Sequence, residues 1–132
     1  MTTAKKAHTA ELIKMAGELP ALIEALEADI VAIAGRMAEL QAAGLIYATE
    51  HWRKGSNREP KYFYLLYPQK QGEPRKREYI GCDPARIAEA RAGIVRAREF
   101  DALSTRLSGL NGRVRTVAGS LNDARRFLNA KR

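Results

Sequence analysis

Apolar residues recur in alternating steps of four and three on both sides of a thirty-residue segment that breaks the rhythm. On the N-terminal side the series is Leu19, Ile23, Leu26, Ile30, Ile33, Met37 and Leu40. On the C-terminal side it is Leu103, Leu107, Leu110, Val114, Val117, Leu121, Ala124 and Leu128. Such spacing keeps one stripe of a helix turned towards a partner. Both sides therefore read as amphipathic helices whose stripes need cover. An earlier seam, Ile87, Ala90, Ile94 and Ala97, meets the second series at a phase slip near Phe100.

Turn and cap residues divide the chain further. Residues 1–8 are small and polar and read as a disordered tail. Thr9 can cap a short helix to about Glu18, and Pro20 suits the first turn of a second helix, where its missing N–H costs little. Gly44 suits the residue just past that helix, so 9–44 form the N-terminal helices. Leu45–Lys54 reads as a strand, Lys61–Tyr67 as the chain's strongest strand and Arg75–Ile80 as a third, with turns at Gly55-Ser56-Asn57 and Gly72-Glu73-Pro74. Residues 45–81 thus form an antiparallel meander. Asp83 and Pro84 then form a helix start, and no proline follows. Residues 82–132 read as one long helix, with Gly109–Gly112 as its weak point. Its length beyond the Pro20–Ala43 helix needs a partner, and a second copy is the simplest one.

The central segment concentrates charge and aromatic rings. From His51 to Ile80 there are eight basic residues against three acidic ones, net +5, and six of the chain's nine aromatic rings. The first fifty residues carry −3 of a total of +8, so the remainder carries +11. A polarised charge of this kind suits a polyanionic partner. Arg53, Lys54, Arg58 and Lys61 from the first turn, with Arg75, Lys76 and Arg77 from the second, are the candidate phosphate contacts. Trp52 and Tyr62 are candidates for stacking or wedging. Most rings of the central strand are assigned to burial. One face is expected against helix and the other partly under a partner.

Catalytic chemistry has little to draw on. The two histidines, His8 and His51, fall in the tail and on a strand, with no serine, cysteine or carboxylate spaced to join them. No phosphate-binding glycine loop or cysteine cluster occurs. The expectation is a non-enzymatic protein without cofactor, metal or small-molecule substrate. One cysteine, Cys82, fits a reducing compartment. With no signal-like or membrane-length apolar run, a cytoplasmic location off the membrane is expected.

The stretch Tyr62-Phe63-Tyr64-Leu65, the basic turn with Gly72, Tyr79-Ile80-Gly81 and the following long helix resemble a group of uncharacterised prokaryotic proteins often linked to plasmids and integrated elements. The N-terminal hairpins of some transposases and integrases share this aromatic and basic rhythm. The resemblance spans roughly residues 45–110 and implies no enzymatic activity. Leu22–Ile46 also resembles the helix-turn-helix of winged-helix regulators. In that alignment Asp29 caps a recognition helix, Ala34, Arg36 and Glu39 lie near DNA, and Glu27 stands where the turn usually has Gly.

The expected fold is α+β: an antiparallel helical coiled coil with a three-stranded antiparallel β-meander between its helices. The expected function is double-stranded DNA binding by a homodimer, regulatory or architectural, through a basic β-hairpin tip. The alternatives are a winged-helix regulator that dimerises by its C-terminal helix, and a coiled-coil adaptor for an acidic protein.

Overall fold

A computed structural model describes residues 3–130 and shows an α+β chain with two long helices and a three-stranded antiparallel sheet. The elements are α1 (Thr3–Ala43), β1 (Thr49–Lys54), β2 (Pro60–Leu66), β3 (Arg77–Gly81) and α2 (Pro84–Leu128). The chain divides into two compact units. One is Arg36–Thr105; the other is Met1–Gly35 with Arg106–Arg132.

In the first unit the sheet has the order β1-β2-β3 with antiparallel neighbours. Alternation along β2 sends Phe63 and Leu65 inward, where they are almost fully buried. They form the core with Ile80 and with Ala90 and Ile94 of α2, and Ile46, Ala48, Tyr67 and Ile87 pack around them. Ile87, Ala90 and Ile94 lie three and four apart, so one stripe of α2 meets the inner sheet face. Asp83 caps α2: its carboxylate accepts the Ala85 N–H at 3.4 Å and its carbonyl accepts the Ile87 N–H at 3.0 Å.

Helix α1 ends where its backbone turns left-handed. Gly44 has φ 109°, and its N–H donates to the Leu40 carbonyl at 3.1 Å. The Gly44 carbonyl then accepts from Arg96 Nε at 2.7 Å. Arg36 forks onto Glu99 at 2.7 and 3.0 Å, and Tyr47 donates its hydroxyl to Asp101 at 2.8 Å. The guanidinium holds the Glu99 carboxyl below its ordinary range, mainly by hydrogen bonding. Acceptance by Asp101 raises the Tyr47 hydroxyl.

Several expectations change. Helix α1 runs unbroken from Thr3 through Pro20, so there is no separate helix at Thr9–Glu18 and residues 3–8 are helical rather than a tail. Residues 1–2 lie outside the described part. Proline removes a single N–H and leaves the Ala16 carbonyl without its usual donor, a cost of ~3 kcal/mol that flanking helix can absorb. The same continuity removes the helix-turn-helix: α1 passes through Glu27, Ala28 and Asp29 without a turn. It also removes the surplus length, since α1 has 41 residues and α2 has 45. Leu45–Ala48 is not part of the first strand, because the Ile46 N–H donates to the Gly93 carbonyl of α2 at 3.1 Å instead of to a sheet neighbour. The third strand starts at Arg77, because Arg75 and Lys76 are bonded into the preceding turn. Helix α2 continues through Gly109–Gly112.

In the second unit the two heptad stripes line common grooves. Ile23, Leu26 and Ile30 share one with Val114, Val117 and Leu121. Leu12, Met15 and Leu19 share the next with Leu121, Ala124 and Leu128. Falling numbers on α1 meet rising numbers on α2. Among the described residues, no helix is long and apolar enough to cross a membrane.

Candidate nucleic-acid interface

The sheet sorts its side chains by charge as well as polarity. Register places Thr49, His51 and Arg53 of β1 opposite Leu66, Tyr64 and Tyr62 of β2, and Tyr79 and Arg77 of β3 opposite Tyr64 and Leu66. These eight residues share the outer face, away from the Phe63 and Leu65 core. None is acidic. The strand carboxylates Glu50 and Glu78 belong to the inner side. Arg91 Nε lies 3.0 Å from Glu50, and the Tyr67 hydroxyl donates to Glu78 at 3.0 Å. Burial, then the Glu78 contact, raises the Tyr67 hydroxyl.

Three tyrosines tile the outer face. The Tyr64 and Tyr79 rings lie 5.0 Å apart and the Tyr62 and Tyr79 rings 6.5 Å apart. His51 meets Tyr64 edge-on at 6.2 Å, and the Arg53 guanidinium sits 5.9 Å from the Tyr64 centroid. That distance is within cation–π range. Tyr79 is 53% exposed. Of the central-strand rings, Phe63 is buried and Tyr62 and Tyr64 are half-buried in the single chain.

The two basic turns do not form one tip. An antiparallel meander puts successive turns at opposite ends of its middle strand. With β2 spanning Pro60–Leu66, the ends lie about 20 Å apart at ~3.3 Å per residue. At one end Gly55 N–H donates to the Glu59 carbonyl at 2.9 Å and Arg58 N–H to the Gly55 carbonyl at 3.0 Å. Arg58 there has φ 67°, a left-handed conformation disfavoured by its Cβ. Arg53 is opposite Tyr62 but Lys54 is opposite Pro60, so Lys61 is the extra residue of a bulge. Its ammonium lies 5.6 Å from the Tyr62 centroid. At the other end Arg75 Nε donates to the Tyr67 carbonyl at 3.0 Å, and the Lys76 ammonium lies 5.1 Å from the Tyr67 centroid.

Trp52 lies on the opposite face of the sheet from Tyr62 and is 38% exposed. It stands opposite Phe63 and packs edge-on against that ring at 4.9 Å, on the inner side. It does not join Tyr62. The residues that sequence reasoning missed are His51, Tyr64 and Tyr79. The alternation of Tyr62 and Tyr64 carries a signal for one of them. Tyr79 could not be assigned to a face, because Ile80 is the extra residue of a second bulge.

Comparison with protein-family models, curated proteins and solved structures finds no match to this chain.

Cys82 is exposed, and among the described residues no group of three or more His, Cys, Asp or Glu side chains is arranged to hold a metal ion. The chemistry available on the outer face is cation–phosphate attraction, hydrogen bonding from arginine and stacking on tyrosine.

Proposed function

We propose that this chain is a non-enzymatic double-stranded DNA-binding protein that lays its outer sheet face on the duplex. The observation that carries the reading is the sorting of charge. Arg53, Arg77 and three tyrosines occupy a carboxylate-free face, and a basic turn bounds each end of β2. Ends about 20 Å apart suit backbones on either side of a major groove ~12 Å wide. Arg53, Lys54, Arg58 and Lys61 contact phosphates on one side, and Arg75, Lys76 and Arg77 on the other. Tyr62, Tyr64 and Tyr79 sit between. The role is regulatory or architectural. The resemblance of the strand-turn-strand segment to proteins of plasmids and integrated elements supports a mobile-element setting. The two heptad stripes, which line common grooves, act as antiparallel coiled-coil partners.

Fluorescence anisotropy of labelled duplex, single strand and hairpin RNA across a salt series tests this. The expected result is steep, salt-dependent duplex binding. Changing Arg75, Lys76 and Arg77 together to Gln reduces the log–log salt slope by roughly 0.9 for each phosphate that is no longer neutralised. Preference for single strand, abolished by changing the three tyrosines to Ala, would replace the duplex with a stacking mode. No binding to any nucleic acid at low salt, with a salt-insensitive complex with an acidic protein, would replace the proposal with the adaptor reading.

A further inference from the structure

The helical unit carries an unused charge pattern and an apolar stripe wider than one neighbour covers. On α1 the stripe extends beyond the heptad series to Met15, at the edge of the groove shared with α2, and to Leu22; seven residues apart, they remain 54% and 63% exposed. A stripe three positions wide per heptad belongs to helices of a bundle; two positions suffice for a two-stranded seam. Beside Met15 and Leu22 on the helix surface run Glu11, Glu18 and Asp29. Between His8 and Gly35, α1 has five acidic residues and one basic one, net −4. From Arg106 to Ala130 the chain has five basic residues and one acidic one, net +4. The ion pair shown within these stretches is Arg126–Asp123, 3.3 Å apart, and Arg125 bonds to Asn122. Among the described residues, Glu11, Glu18, Glu24, Glu27 and Asp29 of α1 and Arg106, Arg113 and Arg115 of α2 form no ion pair.

The geometry points to a second copy of this chain as the occupant. The acidic stretch of α1 in one copy lies parallel to the basic stretch of α2 in the other, forming a four-helix bundle about a two-fold axis perpendicular to the helices. The spacing specifies this orientation. Glu11 and Arg106 differ by 95 positions, as do Glu18 and Arg113, and the two acids, like the two arginines, lie seven apart on one face of their helix. One parallel offset therefore brings two acid–base pairs level, and the two-fold axis doubles them to four. The offset puts the axis near Leu22, opposite residues 117–118 of the second copy. Within one chain the shared grooves also put Ile23 and Leu26 level with Val114, Val117 and Ala118, so the same axis satisfies both relations. A DNA duplex or an anionic membrane would meet the basic stretch but be repelled by the acidic one. A second copy matches both. This inference concerns the helical unit alone and does not rest on the DNA reading.

Analytical ultracentrifugation of the full chain at low and high salt tests it. The expected wild type is a dimer that weakens as salt rises. Glu11→Arg with Glu18→Arg reverses four contacts across the two-fold axis and weakens the dimer at least tenfold. Adding Arg106→Glu and Arg113→Glu to the same chain restores it, which a misfolded variant could not do. A monomeric wild type at low salt would overturn the inference. So would a dimer indifferent to the reversal, or one that the second pair of changes fails to restore.

Discussion

Arg58 puts a bulky side chain where the hairpin backbone asks for glycine, and Arg58→Gly separates what that arrangement costs from what it does. At φ 67° the Arg58 Cβ crowds the following carbonyl, a cost of about 1–2 kcal/mol. Glycine removes it but adds freedom to the unfolded chain, worth about 0.4–1 kcal/mol. The turn bonds are backbone or Asn57 contacts and survive the change: Gly55 to Glu59, Arg58 to Gly55, and the Glu59 N–H donating to Asn57 at 3.3 Å. The net expectation is a gain of about 0.5–1 kcal/mol, a rise in melting temperature of about 2–4 °C. Duplex affinity should fall as the salt slope drops by about 0.9. Arg58→Ala keeps the strain and removes the charge, so it should weaken binding without raising stability. Thermal unfolding by circular dichroism and anisotropy salt titrations read the two effects separately. No stability gain in Arg58→Gly would refute the strain argument. Unchanged DNA affinity in both variants would refute the idea that the strain is tolerated for a phosphate contact.

Two further outcomes follow from the helices. A Cβ on Gly93 would lie 2.5 Å from Ile46 Cδ1, whereas one on Gly109 meets nothing within 4 Å. Gly93→Ala should therefore lose about 1 kcal/mol, overpacking outweighing helix propensity, and Gly109→Ala should gain about 1 kcal/mol in urea unfolding. Equal gains would mean that Ile46 does not pack there. The Arg36–Glu99 fork predicts an acid-dependent term. Glu99 is depressed from an ordinary 4.5, so its contribution is full above that value and is lost as pH falls through the depressed one. The stability difference between wild type and Glu99→Gln should shrink below about pH 4.5, and a difference constant with pH would show that the fork contributes nothing.

What could be read from the chain alone was whatever one residue type decides locally. Gly44 and Asp83-Pro84 mark helix ends because left-handed backbone and cap geometry admit few residues, and both stand where expected. Tyr62 to Leu66 announces a strand by alternation and propensity. Pro20 misled because its penalty is finite and a long helix outweighs it. Leu45–Ala48 misled because strand propensity does not say which donor or acceptor will be nearest, and here it is the Gly93 carbonyl. The outer face was half legible. Tyr62 and Tyr64 alternate with Phe63 in plain view, but bulges at Lys61 and Ile80 shift the parity of their neighbours, and no local pattern marks a bulge. The separation of the two basic turns was implicit in the meander itself.

Pro20 has a bearing on the order in which the molecule comes apart. With no amide to donate at that position, the Ala16 carbonyl must turn to water, and the hydrogen-bond ladder of α1 has a gap. Opening that starts at the N-terminal end meets this gap before it meets the stretch that leads to the Arg36 fork. The segment before Pro20 is thus a separate, weaker layer of protection against amide exchange, which can melt and re-form while Pro20–Ala43 stays closed. Met15, on that layer, is exposed in the single chain. If the helical unit pairs with a second copy as proposed, assembly and local order at this end of the helix become one equilibrium, and subunit concentration sets how much of α1 is helix.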